Sequence, residues 1–299
     1  DTSWSGVVEI LECAGVVERP RYFDVWGRRH GLPARARAGS YEFEGPMALE
    51  ELAAALAKGG AVAEVTVTVP EGFTIFHIAD RLSELGLATR SDFLRAARDP
   101  AALAAAAIEG ESFEGYLFPD TYRFKQGTAA SQIVARLHER WRQVWDELAA
   151  KHASELALRT SAGLSLHELV TLASIVERES AVADERRLVA RVFYNRFDKK
   201  MKLQSDPTCV YAESTYDQVP SPKTCHDPLN RYSTYVVERL PPGPIANPGR
   251  GSLAAVIDPA DGADAAKLLF FVAKRDGTGA HHFSATLREH NAAVKKFLK

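Results

Sequence analysis

The sequence predicts an α+β protein of about two domains. The chain has 299 residues, close to twice the roughly 150 residues of an average domain. Its 46% apolar and 25% charged residues match globular proteins rather than disordered ones. Short stretches that alternate apolar and polar residues lie between longer stretches with helical periodicity. No run of 18 apolar residues occurs, so no segment is expected to span a membrane.

Four elements are predicted before residue 86. Ser40–Phe43 is a short strand, and Met47–Lys58 is a helix that ends at Gly59. Glu64–Val69 alternates with period two and is a strand, and Thr74 caps a helix that runs to Leu85. A unit of this size is too small to hold a catalytic cleft and is more typical of a binding module.

The middle of the chain is mostly helical. Ser91–Ile108 is predicted to be helical and Ala-rich, and Ala130–Ala150 to be a long amphipathic helix. Trp141 and Trp145 lie on the apolar stripe of the second helix, where packing in the core is favoured over stacking on sugars. Between these helices, 113–124 holds five aromatic residues and should pack as a buried connector or line a groove.

A helix with three acidic residues carries the candidate chemistry. Ser165 and Glu168 form a capping box that starts it, and it runs to Ser180. At 100° per residue Glu177 lies on the apolar stripe, whereas Glu168 and Glu179 are expected on the far face in water. An apolar environment raises the pKa of a carboxyl, as a general acid requires. The alternative is that Glu177 pairs with a nearby arginine and is structural.

A turn-rich segment follows this helix and a second one that Asp184 is expected to cap. Leu240–Gly249 holds four prolines, so it forms a stiff loop that is either the wall of a cleft or a connector. The chain should close with a helix at 252–260, strands at 268–272 and 282–284, and a helix that Thr286 caps. Neighbours on a strand face opposite sides, so at most one of His281 and His282 faces a given site.

Charge and cysteines narrow the range of functions. Thirty-seven basic residues against 39 acidic ones give a net charge of −2, which supports neither nucleic-acid binding nor a polybasic membrane-surface role.

The cysteines leave two possibilities open. Cys209 and Cys225 either form a disulfide or are free thiols, and Cys13 would be a free thiol. A zinc site with His226 lacks the paired spacing such sites show.

Seven motifs in this order resemble the endolytic murein transglycosylases, the YceG-like family. The matching segments are FEGYLFPDTYRF (113–124), LASIVERES (172–180), VFYNRF (192–197), LQSDPT (203–208), STYVVERLPPGPIANPG (233–249), LLFFVA (268–273) and HHFSATLREHNAAV (281–294).

The resemblance implies a domain order and a location. It implies a small LysM-like α+β subdomain at 39–110 and a larger α+β catalytic domain at 111–299. Residues 1–38 would follow a single N-terminal membrane anchor that is absent from this sequence. The chain would face the periplasm from the bacterial inner membrane, and such a compartment favours the Cys209–Cys225 disulfide.

The resemblance also implies a reaction. Family members are lyases that cut nascent peptidoglycan strands between N-acetylmuramic acid and N-acetylglucosamine, leave 1,6-anhydro ends and terminate strand growth. The first Glu of the family's IVE-x-E motif matches Glu177, which we expect to act as acid and then as base without a metal or cofactor. Gln204, Asp206, Tyr235 and Asn247 are candidate substrate-orienting residues, chosen for their polarity within the matching motifs.

Glycan strands are the expected partner, with peptidoglycan synthases as further ones and membrane contact through the anchor only. Two alternatives remain open. One is a non-catalytic peptidoglycan-binding scaffold. The other is a muramidase with two carboxylates, in which Asp206 or Glu179 would be the second.

Overall fold

The computed structural model describes residues 3–43, 47–61 and 63–298. The chain forms two compact units, Asp1–Val65 with Arg123–Gln126, and Thr66–Tyr122 with Gly127–Lys299. These limits follow from contacts within each unit. The division at residues 38 and 110 was drawn from family resemblance and stays a prediction.

In the described residues of the first unit there are three α-helices. They are α1 (Trp4–Cys13), α2 (Pro20–Arg29) and α3 (Leu49–Lys58). Helices α1 and α2 approach closely because the indole of Trp4 lies against Gly27, where a Cβ would be 2.6 Å from the ring. The predicted helix at 47–58 is confirmed, and it ends at Gly59, whose φ is +96°. The predicted strand at 40–43 is wrong, since only Ser40 pairs, in an isolated bridge with Ala61.

The second unit holds the remaining helices of the described chain. They are α4 (Ile75–Glu84), α5 (Arg90–Ala97), α6 (Pro100–Ala105), α7 (Ala130–Lys151), α8 (Ala153–Ser161), α9 (Leu166–Glu179), α10 (Arg186–Asp198), α11 (Pro222–Cys225), α12 (Arg250–Ile257) and α13 (Leu287–Phe297).

Two small sheets accompany these helices. Strands β1 (Glu64–Thr68) and β2 (Thr121–Lys125) pair with each other. Strand β1 begins in the first unit and ends in the second, and β2 begins in the second and ends in the first. Strands β3 (Phe270–Ala273) and β4 (His281–Ser284) form an antiparallel hairpin in which Phe270 is opposite Ser284.

Local capping chemistry sets several of the observed boundaries. The side chains of Thr74, Ser165 and Thr286 each accept a backbone N–H of the first turn, as predicted. The helical character expected at 91–108 is confirmed, and it is divided between two helices, α5 and α6. Asp99 caps the second one with its side chain and Pro100 occupies its first position, which breaks the helical hydrogen-bonding pattern.

The aromatic residues predicted to be buried are in the core of the second unit. Trp141 and Trp145 of α7 stack at 5.7 Å between ring centroids, and both are buried. Tyr116 contacts Trp141 edge-on, so the aromatic connector packs on the same helix. Packing, rather than sugar stacking, accounts for the two tryptophans.

Cys209 and Cys225 form a disulfide, and Cys13 is free and exposed. The bond joins the start of the turn-rich segment to α11, and both sulfurs are buried. With both thiols used, this pair offers no ligand to zinc. In the described ranges no group of three or more His, Cys, Asp or Glu side chains could hold a metal ion. The same ranges contain no helix with the length and apolar character needed to cross a bilayer.

A fully buried asparagine fixes the proline-rich loop. The Oδ1 atom of Asn247 accepts the backbone N–H groups of Gly115 and Leu117, at 2.9 and 3.0 Å. Its Nδ2 atom donates to the Glu114 carboxylate at 2.7 Å and to the carbonyl of Phe73 at 3.0 Å. All the hydrogen-bonding capacity of the amide is therefore used within the protein.

Removing the disulfide should lower the free energy of unfolding by about 3 kcal/mol, because the bond closes a short loop in the unfolded chain. Urea unfolding of a Cys209→Ser/Cys225→Ser variant under non-reducing conditions measures this. Cys13→Ser is the control and should leave the unfolding midpoint unchanged. Titration of more than one thiol in the denatured, unreduced wild type would contradict the assignment.

Asn247→Ala should cost about 3–5 kcal/mol of stability, since it leaves two buried N–H groups without an acceptor and removes the Asn247 donor from one oxygen of the buried Glu114 carboxylate. Thermal and urea unfolding measure the loss. Asn291→Ala, on the exposed face of α13, is the matched control and should change stability by less than about 0.5 kcal/mol. Equal effects of the two substitutions would refute the role given to Asn247.

Candidate active site

Helix α9 carries the two glutamates of the IVERES motif in its last turn. Every residue from Leu169 to Val176 is buried, so the helix is enclosed on all sides. The apolar stripe therefore does not predict which residues of α9 are exposed. Leu166 is one of the apolar residues that define this stripe, and it is exposed. The expectation that Glu179 faces water is wrong, because this residue is half-buried and hydrogen-bonded. Glu168 is also half-buried and accepts the N–H of Ser165 in the capping box.

The proline-rich loop lies along one line of this helix. His167 Nε2 donates to the carbonyl of Pro242 at 3.0 Å, and Ser174 Oγ accepts the N–H of Ile245 at 3.0 Å. One turn further, Gly249 donates its N–H to Glu177 Oε2 at 3.0 Å. The loop is thus attached to successive turns of α9, and its end is at the candidate carboxylate.

Glu177 is held by donors on both of its oxygens. Its other oxygen, Oε1, is 3.5 Å from the guanidinium of Arg186, and only 6% of its side chain is exposed. Arg186 also contacts Glu71 at 3.2 Å, so one arginine bridges two carboxylates. Burial, followed by the charge of Glu177, raises the pKa of Glu71, and Arg186 opposes this. The surroundings of Glu177 are therefore polar and not the apolar ones expected.

Gly249 leaves room for the Glu71 carboxylate where Glu71 and Glu177 meet the loop. A Cβ on Gly249 would come within 1.8 Å of a Glu71 oxygen, so any side chain there would displace that carboxylate. The absence of a side chain lets the Gly249 N–H reach Glu177 while Glu71 lies against the same backbone.

Glu179 lies in a second polar cluster, with Ser205 and Asp206. Ser205 Oγ donates to Glu179 Oε1 at 2.5 Å. Asp206 accepts the hydroxyl of Tyr235 at 2.7 Å. Burial raises the pKa of Glu179, the hydrogen bond from Ser205 lowers it, and the negative charge of Asp206 raises it further. The positive charges of His281 and Arg196 lower the pKa of Glu179 by smaller amounts.

The four residues that the sequence predicts to orient the substrate lie in different environments. Asp206 and Tyr235 contact each other beside Glu179, and Gln204 immediately precedes Ser205 in the chain. Gln204 is exposed and has a φ of +46°, a left-handed conformation that is costly for a residue with a side chain and often marks functional positions. Asn247 is fully buried with its amide saturated, which leaves no group to contact a substrate.

The two histidines of β4 point to different surroundings, as the strand geometry predicts. His281 is partly buried, and its Nδ1 is 2.8 Å from the Glu185 carboxylate, which also accepts the backbone N–H of His281. His282 is exposed. Of the pair, His281 is the one whose charge acts on Glu179.

Sequence reasoning missed several polar residues near the two glutamates. Arg186 and Ser205 contact the glutamates, and Glu71 contacts Arg186. All three belong to segments where polar residues are common, so no local pattern distinguishes them. Glu114 is more informative, because it lies buried within the aromatic motif and accepts from Ile75 N–H, Tyr211 O–H and Asn247. Burial raises its pKa to about 8. A charged residue in so apolar a segment is the one signal that could have revealed it.

Comparisons with known proteins agree with the motif order. The YceG-like family matches residues 1–296. The chain is 29% identical to a Bacillus subtilis protein named endolytic murein transglycosylase, over 99% of this chain and 82% of that one. It is also 29% identical to a Streptococcus pneumoniae protein of the same name, over 85% of this chain. The chain spans about half the length of the pneumococcal relative, covering 50% of it.

A solved structure shares the fold. The crystal structure of a yceG-like protein from Listeria monocytogenes has a TM-score of 0.65 and is 31% identical, covering 97% of this chain and 95% of its own. Sequence and structure thus agree over nearly the whole length, and the chain belongs to the YceG-like family.

Proposed function

We propose that this chain is a peptidoglycan lytic transglycosylase that cuts glycan strands internally. Family membership and relatives named endolytic murein transglycosylase support this proposal. The structural observation that carries it is a half-buried glutamate, Glu179, whose pKa burial raises and which lies beside exposed polar residues. A carboxyl that keeps its proton near neutral pH can act as a general acid.

Glu179 fits the role of general acid better than the residue predicted from sequence. Both oxygens of Glu177 are engaged, by Arg186 and by the Gly249 N–H. Within the part of the chain that the structure describes, Ser205 is the hydrogen-bond donor to Glu179, and the exposed Gln204 and Asp206 flank this serine in the chain. Glu177 remains the alternative acid, and in our proposal it holds the loop end in place.

The proposed reaction needs one carboxyl acting twice. Protonated Glu179 gives its proton to the glycosidic oxygen as the bond to C1 of the muramyl residue breaks. The resulting carboxylate then takes the proton of the C6 hydroxyl while that oxygen bonds to C1, which closes the 1,6-anhydro ring. No water is consumed, so the products differ from those of hydrolysis, for which two carboxylates are usual. Gln204 and the Asp206–Tyr235 pair would orient the sugar and stabilise positive charge at the ring.

The setting of this reaction is proposed with it. Residues 39–110 would serve as a LysM-like glycan-binding part, and 111–299 as the catalytic part. An extracytoplasmic location, with an anchor in the inner membrane and the chain in the periplasm, agrees with a cell-wall substrate and with the buried disulfide. Cleavage there would terminate growing strands next to the synthases that make them.

Glu179→Gln should reduce cleavage of uncrosslinked glycan strands by about 100- to 10,000-fold, the range for loss of a general acid. Glu177→Gln should keep measurable activity, and Glu84→Gln, exposed at the end of α4, should be equal to wild type. Mass spectrometry of the products separates anhydro from reducing ends.

Other outcomes decide between the alternatives. Loss with Glu177→Gln alone would favour the acid predicted from sequence. Loss with both, accompanied by reducing ends from the wild type, would favour a two-carboxylate muramidase. Absence of cleavage by the folded wild type would favour a scaffold.

Asp206→Asn should move the high-pH decline of kcat/KM to lower pH. The acid must be protonated, so activity falls as pH rises through the pKa of Glu179, and Asp206 raises that pKa. The asparagine removes the charge and can still accept from Tyr235. Asp198→Asn, exposed at the end of α10, is the control and should leave the profile in place. A shift to higher pH, or none, would count against Glu179 as the acid.

A further inference from the structure

Helix α2 of the first unit has a strongly basic, solvent-exposed face. Arg21, Tyr22, Val25, Arg28 and Arg29 are all exposed. At about 100° per residue these five positions fall within roughly one third of the helix circumference. We call them the α2 basic face.

The opposite side of α2 is fixed in the core of its unit. Phe23 is completely buried, and Gly27 lies under the indole of Trp4. Asp24 accepts from that indole at 2.6 Å and from Arg28 at 2.8 Å. These contacts set the rotation of the helix, so the basic face is presented to solvent by the packing of the unit.

The charge around this face is concentrated and mostly unpaired. Residues 19–37 hold six arginines and one acidic residue, Asp24, a net charge of +5 in a chain whose total is −2. All six arginines are exposed, and within the described residues only Arg28 has an ion-pair partner. Since the rest of the chain therefore carries −7, this region is a local positive patch on a slightly acidic protein.

Two apolar side chains lie among these arginines. Tyr22 is 60% exposed and Val25 is 67% exposed. Basic side chains are attracted to an anionic lipid surface, and aromatic and aliphatic side chains beside them can enter the boundary between headgroups and acyl chains. A soluble polyanion would need the charges alone, so the apolar pair favours a lipid surface.

We propose that the α2 basic face binds the surface of a bilayer that contains anionic phospholipids. The guanidinium groups of Arg21, Arg28 and Arg29 would contact headgroup phosphates. Tyr22 and Val25 would enter the boundary between headgroups and acyl chains. This contact is separate from any membrane-spanning anchor and does not depend on the catalytic proposal.

Co-sedimentation of the full chain with vesicles tests the proposal. The chain should bind phosphatidylcholine vesicles that contain phosphatidylglycerol and not pure phosphatidylcholine vesicles. Arg21→Gln/Arg29→Gln should weaken this partitioning roughly 25-fold, at about fivefold for each arginine near an anionic surface. Arg95→Gln/Arg136→Gln removes the same charge from exposed helix positions of the second unit and should have little effect.

A second variant distinguishes a bilayer from a polyanion. Tyr22→Ser/Val25→Ser keeps every charge and should still weaken vesicle binding several-fold, while binding to soluble polyphosphate stays unchanged. Circular dichroism checks that the variants fold, and the comparison of the two vesicle types needs no variant at all.

Three results would overturn the proposal. They are absence of binding to the anionic vesicles at physiological salt, equal loss in the two arginine variants, and vesicle binding that ignores Tyr22 and Val25. The last would indicate a general polyanion site. Cleavage of soluble glycan strands is measured without lipid, so failure here leaves the catalytic proposal untouched.

Discussion

The hydrogen bonds of buried Asn247 are the constraint on which the candidate site depends. They join the aromatic connector at 114–117 and the turn at 72–73 to the proline-rich loop. The backbone of Asn247 reinforces this, since it accepts from Gly72 and donates to Phe73. Two residues later the loop places the Gly249 N–H on Glu177. A polar group that is buried and fully satisfied specifies one arrangement of these segments, because every alternative leaves donors unpaired.

Two glutamates in one helical turn have opposite surroundings. Glu177 joins the helix to Arg186 and to the loop end, whereas Glu179 has the raised pKa and the exposed neighbours. Because α9 is enclosed from Leu169 to Val176, both carboxylates emerge only where the enclosed segment ends. A rigid, buried helix of this kind holds a reactive group in place without relying on a mobile loop.

Several helix starts could be predicted from the sequence because they depend on local capping chemistry. Threonine and serine caps at 74, 165 and 286 fixed helix starts, because a side-chain oxygen must satisfy free N–H groups there. The surroundings of Glu179 could not be predicted, since the stripe argument assumes a helix with one solvent-exposed face along its length, and α9 is buried on every side from Leu169 to Val176. Spatial neighbours such as Ser205 come from distant segments. The net charge of the whole chain likewise gave no sign of the arginines at 19–37, because acidic residues elsewhere in the chain balance their charge.

Strands β1 and β2 pass the chain from one compact unit to the other and back. The four residues 123–126 therefore belong with the N-terminal unit, although about sixty residues of the other unit precede them in the chain. Gln126 donates its N–H to the carbonyl of Ala63. A truncation or proteolytic cut near residue 65 would therefore not yield a clean second unit. It would disrupt the pairing of β1 with β2 and leave an unpaired strand edge, through which separate molecules can associate.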